Sequence, residues 1–163
     1  MEDERHLILA VDCGSTNLKA AIFDWALNRV TECSVPVEYS LDDGVHVQFS
    51  GGSVLSSWRV LFESVCSAEG VEKEAISRVG FTSQAQTFAF IDADGQAVTP
   101  FYSWMDRRAE EEATRIAMEL GECFHDHCSF APPIAQLQLA KVLWACEHVG
   151  AELPVDARLV SLP

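Results

Sequence analysis

The sequence predicts an α/β fold, a mixed sheet flanked by helices, on three observations. An apolar run, Leu7-Ile8-Leu9-Ala10-Val11, stops at Asp12-Cys13-Gly14. Residues 53–66 switch to a helical apolar period, and beyond residue 76 strand-like and helix-like stretches alternate. Strands that open a chain in a hairpin series and later alternate with helices point away from a bundle or a sandwich.

The run at 7–11 is apolar at every position, which suits a strand buried on both faces. A turn-rich tip, Gly14-Ser15-Thr16-Asn17, separates it from the mostly apolar stretch 18–24, so the pair reads as a hairpin. Residues 30–39 carry Val30, Val35, Val37 and Tyr39 and read as a third strand, with Pro36 marking an edge or a bulge. Val54, Leu55, Trp58, Leu61, Phe62, Val65 and Cys66 then fall on one helical stripe. Residues 76–82 and 87–91 read as strands, and Asp94-Gly95 turns the chain into the apolar stretch 98–104. A second helix is expected over 107–120, with Ala109, Ala113, Ile116, Ala117 and Leu120 on one face and Gly121 as its stop. Pro132-Pro133 precede a third helix over 134–148, since proline is tolerated in a first helical turn where its missing N–H has no partner. Gly150 closes that helix, and 158–162 begins another strand.

A length of 163 residues gives one domain, or one domain plus a fragment. The 48% hydrophobic and 22% charged content excludes a disordered chain. Eleven basic against 25 acidic residues leave a formal charge of -14, which repels phosphate backbones and anionic membranes at long range. Neither nucleic acid nor a membrane is an expected partner. No apolar run approaches the roughly 20 residues that cross a bilayer, and the Met1-Glu2-Asp3-Glu4-Arg5 start has no signal-peptide pattern. A cytoplasmic location is expected. The six cysteines include no C-x-x-C pair and read as reduced thiols, with Cys66 and Cys146 packed beside apolar helix residues.

The first candidate site is Asp12-Cys13-Gly14-Ser15-Thr16-Asn17-Leu18-Lys19, a carboxylate at a strand end followed by a small, hydroxyl-rich turn. Gly14 allows close backbone approach, turn amides and the Ser15 and Thr16 hydroxyls can donate to phosphate oxygens, and Lys19 adds a positive charge. Asp12 repels phosphate, so its role there runs through a bridging Mg²⁺. The same residues also satisfy an ordinary hairpin turn. Neither a G-x-x-x-x-G-K-[ST] loop nor a G-x-G-x-x-G turn occurs.

The second constellation comprises Gly80-Phe81-Thr82-Ser83-Gln84-Ala85-Gln86-Thr87, Asp92-Ala93-Asp94-Gly95 and Trp104-Met105-Asp106-Arg107-Arg108. Amide, carboxylate and guanidinium groups beside an aromatic ring suit a polyhydroxylated ligand. Asp106 capping a helix that begins at Arg107, with Trp104 in the core, is the competing account. Cys123-Phe124-His125-Asp126-His127-Cys128 holds zinc-type ligands but lacks the loop that wraps a tetrahedral site, so a polar loop is expected there. Glu110-Glu111-Glu112 reads as a solvated face in a first helical turn.

Taken in order, these motifs resemble the FGGY family of carbohydrate kinases. Residues 10–19 are similar to its first phosphate motif, 80–91 to its Gly-x-x-x-Gln segment, and 96–108 to its stretch ending in Trp-x-Asp-x-Arg. The stretch 134–148, with Lys141 and Trp144, resembles its Lys-x-x-Trp helix. The resemblance implies a ribonuclease-H-like, actin-like ATPase fold in which ATP with Mg²⁺ phosphorylates a hydroxyl of a sugar or polyol. It implies nucleotide contacts at Asp12, Gly14, Ser15, Thr16, Asn17 and Lys19, with Asp12 toward the metal. Substrate contacts are implied at Gln84, Ala85, Gln86, Trp104, Asp106 and Arg108. Ala85 and Gln86 depart from the Arg-Glu of glycerol kinases and the Met-His of xylulokinases, and Ser83 replaces a usual Gly or Asn. The family's catalytic Asp is expected beyond Pro163, so residues 1–163 read as an incomplete N-terminal domain that is inactive alone. A non-catalytic actin-like nucleotide-binding or interaction module is the alternative, and a homo-oligomer stays open.

Overall fold

A computed structural model describes residues 6–129 and 132–162, so the expectations for residues 1–5 lie outside the described residues. The chain divides into two compact units, one from residues up to Glu38 with Gly52–Gln84, the other from Tyr39–Gly51 with Ala85–Leu162.

In the first unit β1 (Leu7–Cys13), β2 (Asn17–Asp24), β3 (Arg29–Pro36) and β6 (Ile76–Ser83) form one mixed sheet in the order β3-β2-β1-β6. The two hairpins are antiparallel, whereas β6 runs parallel to β1 and needs a crossover, which includes α1 (Gly51–Cys66). Pro36 ends edge strand β3, where its missing N–H costs no ladder bond. β1 is not buried on both faces as its uniform apolarity suggested. Leu7, Leu9, Val11 and Cys13 are buried, while Ile8, Ala10 and Asp12 alternate with them and are only half-buried. Small residues opposite, Ala21 and Gly80, leave that outer face open as a groove. The helical stripe of α1 is also only partly covered: Leu61 and Val65 are fully buried, but Leu55 is exposed.

In the second unit β4 (Leu41–Asp42), β5 (Val47–Phe49), β7 (Phe88–Ile91), β8 (Phe101–Tyr102) and β9 (Arg158–Ser161) form a separate antiparallel sheet in the order β4-β5-β8-β7-β9. The strands thus divide between two sheets, and the stretch 98–104 supplies only two strand residues. Helices α2 (Glu110–Leu120), α3 (Cys123–Cys128) and α4 (Gln138–His148) complete the unit. Ala109, Ala113, Ile116, Phe124, Leu137 and Ala140 form one core cluster, and Phe88, Phe90, Tyr102 and Ala145 another, with Trp144 packed against both.

Three helix expectations are corrected. α2 begins at Glu110, not Arg107, because the Asp106 carboxylate accepts the Arg108 N–H and fixes a side-chain turn there. Gly121 does stop it, with a positive φ of 51°. α4 begins at Gln138 rather than at 134, so the two prolines precede a turn closed by Leu137 N–H on the Ile134 carbonyl. Residues 123–128 are helical, not a polar loop, because buried Phe124 anchors them to the core cluster. Glu112 does not join Glu110 and Glu111 on a solvated face but is buried. Cys146 is exposed instead of packed; all six cysteines are free thiols.

Candidate functional site

The first unit carries the phosphate-type residues. Asp12 is the last outward-facing residue of β1, directly opposite Lys19 on β2 and Thr82 on β6. All three line the outer-face groove of about 760 Å³, floored by Ala10, Ala21 and Gly80. Period-two alternation dictates this placement: residues 10 and 12 face one way, 11 and 13 the other. Among the described residues Asp12 makes no hydrogen bond or ion pair, so its carboxylate keeps its acceptors for a ligand. An oxygen-only donor on an open groove fits Mg²⁺, which binds through one or two carboxylates and retains water.

Gly14 is required by space. A Cβ there would lie 2.8 Å from the Asn17 carbonyl oxygen, a backbone atom that cannot swing away, and 3.7 Å from Asp12 Oδ2. The tip is further tied down. Gln84, buried, donates its backbone N–H to the Cys13 carbonyl (3.1 Å) and its side-chain amide to the Gly14 carbonyl (3.2 Å), while Val37 N–H bonds the Thr16 carbonyl (2.9 Å). Gln84 therefore sits with the phosphate-type tip in the first unit, whereas the other five substrate-type residues belong to the second. Thr16 and Lys19 are exposed, Ser15 and Asn17 half-buried. Beneath them the Cys13 thiol is pushed up to about 11, by burial first and by the Asp12 charge second.

In the second unit Asp106 is fully buried and its carboxylate is saturated. Its two oxygens accept from Val47 N–H (2.7 Å), Arg108 N–H (3.0 Å), Arg108 Nε (2.8 Å) and Arg108 Nη2 (2.7 Å). The competing account from sequence is corrected: Asp106 caps no helix but grips its own neighbour Arg108. The Arg108 guanidinium lies between the Tyr102 and Trp144 rings, 4.6 and 4.8 Å from their centroids, and reaches Gln48 Oε1 at 2.7 Å. Such stacking suits the planar guanidinium. Lys141, also fully buried, donates to the Gln86 carbonyl (3.0 Å) and the Ser103 carbonyl (2.5 Å). Burial pushes its ammonium down to about 8, against the pull of Asp106 and with the repulsion of Arg108.

Gln86 has a positive φ of 65°, and its Oε1 accepts the Gln138 N–H at 2.6 Å. It therefore caps α4, whose preceding residue Leu137 supplies no side-chain cap. Trp104 is exposed and held through its backbone N–H on Thr87 Oγ1 (3.0 Å); Ala85 is exposed too. Sequence reasoning missed Thr87, Ser103 and Gln48 as supports. Polar residues inside apolar stretches were the available signal for the first two.

The N-terminal domain of the FGGY carbohydrate kinases matches residues 7–153. The chain belongs to the FGGY family of carbohydrate kinases. Similar family members include glycerol kinase 1 of Lactiplantibacillus plantarum, 26% identical over 153 residues, covering 89% of this chain and 29% of that protein. The xylulose kinase of Streptomyces rubiginosus is 26% identical over 166 residues, covering 98% of this chain and 32% of its own length. Among solved structures, xylulose kinase from Rhodospirillum rubrum aligns with a TM-score of 0.84 at 18% identity, covering 96% of this chain and 32% of that one. Glycerol kinase from Plasmodium falciparum, crystallised with ADP, aligns at 0.79 and 18% identity, with 96% and 32% coverage. The fold is thus the actin-like one of these sugar kinases, and the chain spans 32% or less of the length of these FGGY relatives.

Proposed function

We propose that this chain is the first part of the N-terminal domain of an ATP-dependent carbohydrate kinase, which transfers the γ-phosphoryl of ATP to a hydroxyl of a sugar or polyol. The observation that carries this reading is Asp12: a half-buried carboxylate, bonded to nothing in the described residues, beside Lys19 and a tip that only glycine fits. An ordinary hairpin turn needs neither the open groove nor the vacant acceptor.

In this reading the amides after Gly14, with Ser15, Thr16 and Asn17, hold the nucleotide phosphates, and Lys19 offsets their charge. Asp12 holds Mg²⁺, which would neutralise charge on the transferring phosphoryl group. Gln84 fixes the tip through the Gly14 carbonyl. On the acceptor side Trp104 and Ala85 offer exposed surface, Gln86 positions α4, and the Asp106–Arg108 pair holds the loop that presents Trp104. Phosphoryl transfer relies on positioning by groups from both sides of a cleft, so the 163-residue chain alone turns over no substrate.

The test is calorimetric titration of Mg²⁺-ATP into this chain and into Asp12→Ala, alongside ATP consumption by the full-length protein against ketoses, aldoses and polyols. Binding lost in the variant and turnover with one acceptor class are expected. Equal affinity in both proteins, with no turnover across the panel, favours a non-catalytic module.

A further inference from the structure

α4 buries a lysine that packing does not call for. Lys141 stands at the end of the first helical turn and is fully buried, where an apolar side chain of the same length would fill the space without desolvating a charge. The helix N-terminus also disfavours a cation.

The ammonium gains bonds to two separate segments. Nζ donates to the Gln86 carbonyl at 3.0 Å, across 55 residues, and to the Ser103 carbonyl at 2.5 Å, across 38. Each carbonyl borders an exposed acceptor-side residue: Ala85 directly precedes Gln86, and Trp104 directly follows Ser103. Both segments are held from other sides as well. Gln86 Oε1 accepts the Gln138 N–H, Thr87 Oγ1 accepts the Trp104 N–H at 3.0 Å, and the Ser103 carbonyl also accepts the Asp106 N–H at 3.0 Å. The Phe88 ring lies beside the ammonium, its centroid 5.9 Å from Nζ. A charged donor makes shorter bonds than a neutral one, roughly twice as strong.

We propose that Lys141 is a positioning residue of the acceptor side, whose ammonium sets the spacing of Gln86 and Ser103 and through them the placing of Ala85 and Trp104 around the sugar or polyol. This role rests on the chain being part of a carbohydrate kinase. It differs from that of Gln86, which caps α4, and from that of the Asp106–Arg108 pair, which acts within one loop. Lys141 joins the two acceptor segments to each other through a single group.

Burial pushes the Lys141 ammonium down to about 8, and the charged groups acting on it are Asp106, which favours the ammonium, and Arg108, which opposes it. Raising the pH through that value converts the ammonium to an amine, and its two bonds lengthen and weaken. Stability runs the other way, since a buried charge is lost, so a lysine that served only the fold would not loosen Ala85 and Trp104 over this interval.

The experiment follows the Ala85 methyl and Trp104 ring carbon resonances of the 163-residue chain as pH is raised through about 8, in the parent and in Lys141→Met. Both sets of signals should move with that midpoint in the parent and stay flat in the variant. Flat signals in the parent, or equal movement in both proteins, overturn the proposal, and the parent alone decides where Lys141→Met folds poorly. In the full-length protein, assayed against ketoses, aldoses and polyols, Lys141→Met should raise the acceptor KM about tenfold or more, with kcat and the ATP KM within about threefold of the parent. A loss confined to kcat, or an unchanged acceptor KM, overturns the positioning role. No turnover by the parent with any acceptor sinks the kinase reading, whereas flat spectra beside an active parent sink the role of Lys141 alone.

Discussion

Gln86 Oε1 accepts the backbone N–H of Gln138 at 2.6 Å, so a side chain 52 residues away serves as the cap of α4. The same residue offers its carbonyl to Lys141 Nζ one turn further along, and a positive φ lets it do both. A cap of this kind contributes about 1 kcal/mol. Gln86→Ala should therefore lower stability by about that amount in urea denaturation. Gln86→Glu keeps an acceptor and places a negative charge at a helix N-terminus, so it should hold or raise stability. Equal losses in both variants would show that the capping bond is not what Gln86 contributes.

Gly14→Ala places a methyl group 2.8 Å from the Asn17 carbonyl, and the tip must shift to admit it. Overpacking of this sort costs about 1–3 kcal/mol. The larger consequence is for ligand binding, since the displaced amides are those proposed to meet phosphate. Calorimetry should show Mg²⁺-ATP affinity falling further than the melting temperature alone explains, because the variant remains folded at the titration temperature. Unchanged affinity in a destabilised variant would place the nucleotide elsewhere.

The tip was legible in sequence because its chemistry is local: a glycine, two hydroxyls and a flanking carboxylate within a few residues. The strands of the first unit were legible for the same reason, and the alternation that opens one face of β1 was not, because both faces are apolar up to Asp12. What sequence could not show is reach. Asp106 binds Val47 across 59 residues and Gln86 caps a helix across 52; both are residue types that local rules assign to caps or ligand contacts. α3 stayed hidden because five of its six residues are polar or thiol-bearing, and Phe124 is its one buried residue. The division into two sheets was equally invisible, since β4 and β8 are two residues each.

Asp106→Ala leaves the Arg108 guanidinium, with a side chain only 8% exposed, without its counter-charge. Breaking a buried pair on one side costs about 3–5 kcal/mol, whereas replacing both partners with apolar groups is often neutral. The single variant should lose most of its urea midpoint, and Asp106→Ala with Arg108→Met should recover part of it. A double variant no better than the single would mean that Asp106 acts chiefly through the Val47 N–H, not through the pair.

The buried Cys13 thiol gives the alkaline limb of stability a defined sign. Its proton is retained from the ordinary 9.0 up to about 11, so between those values the folded chain binds a proton that the unfolded chain has released. The stabilisation is complete below pH 9 and disappears as pH rises toward 11, on the order of 2–3 kcal/mol. Lys141 acts oppositely: its folded value is pushed down from 10.5 to about 8, so the folded chain gives up a proton the unfolded chain keeps, and stability rises through that interval. The two windows overlap, and the decisive quantity is the difference between parent and Cys13→Ala denaturation curves, in which the Lys141 contribution cancels. That difference should be flat up to pH 9 and should narrow from there toward pH 11. A difference independent of pH across this range would mean that the thiol titrates normally, and native thiols reacting with a disulfide reagent as fast at position 13 as at exposed Cys146 would say the same.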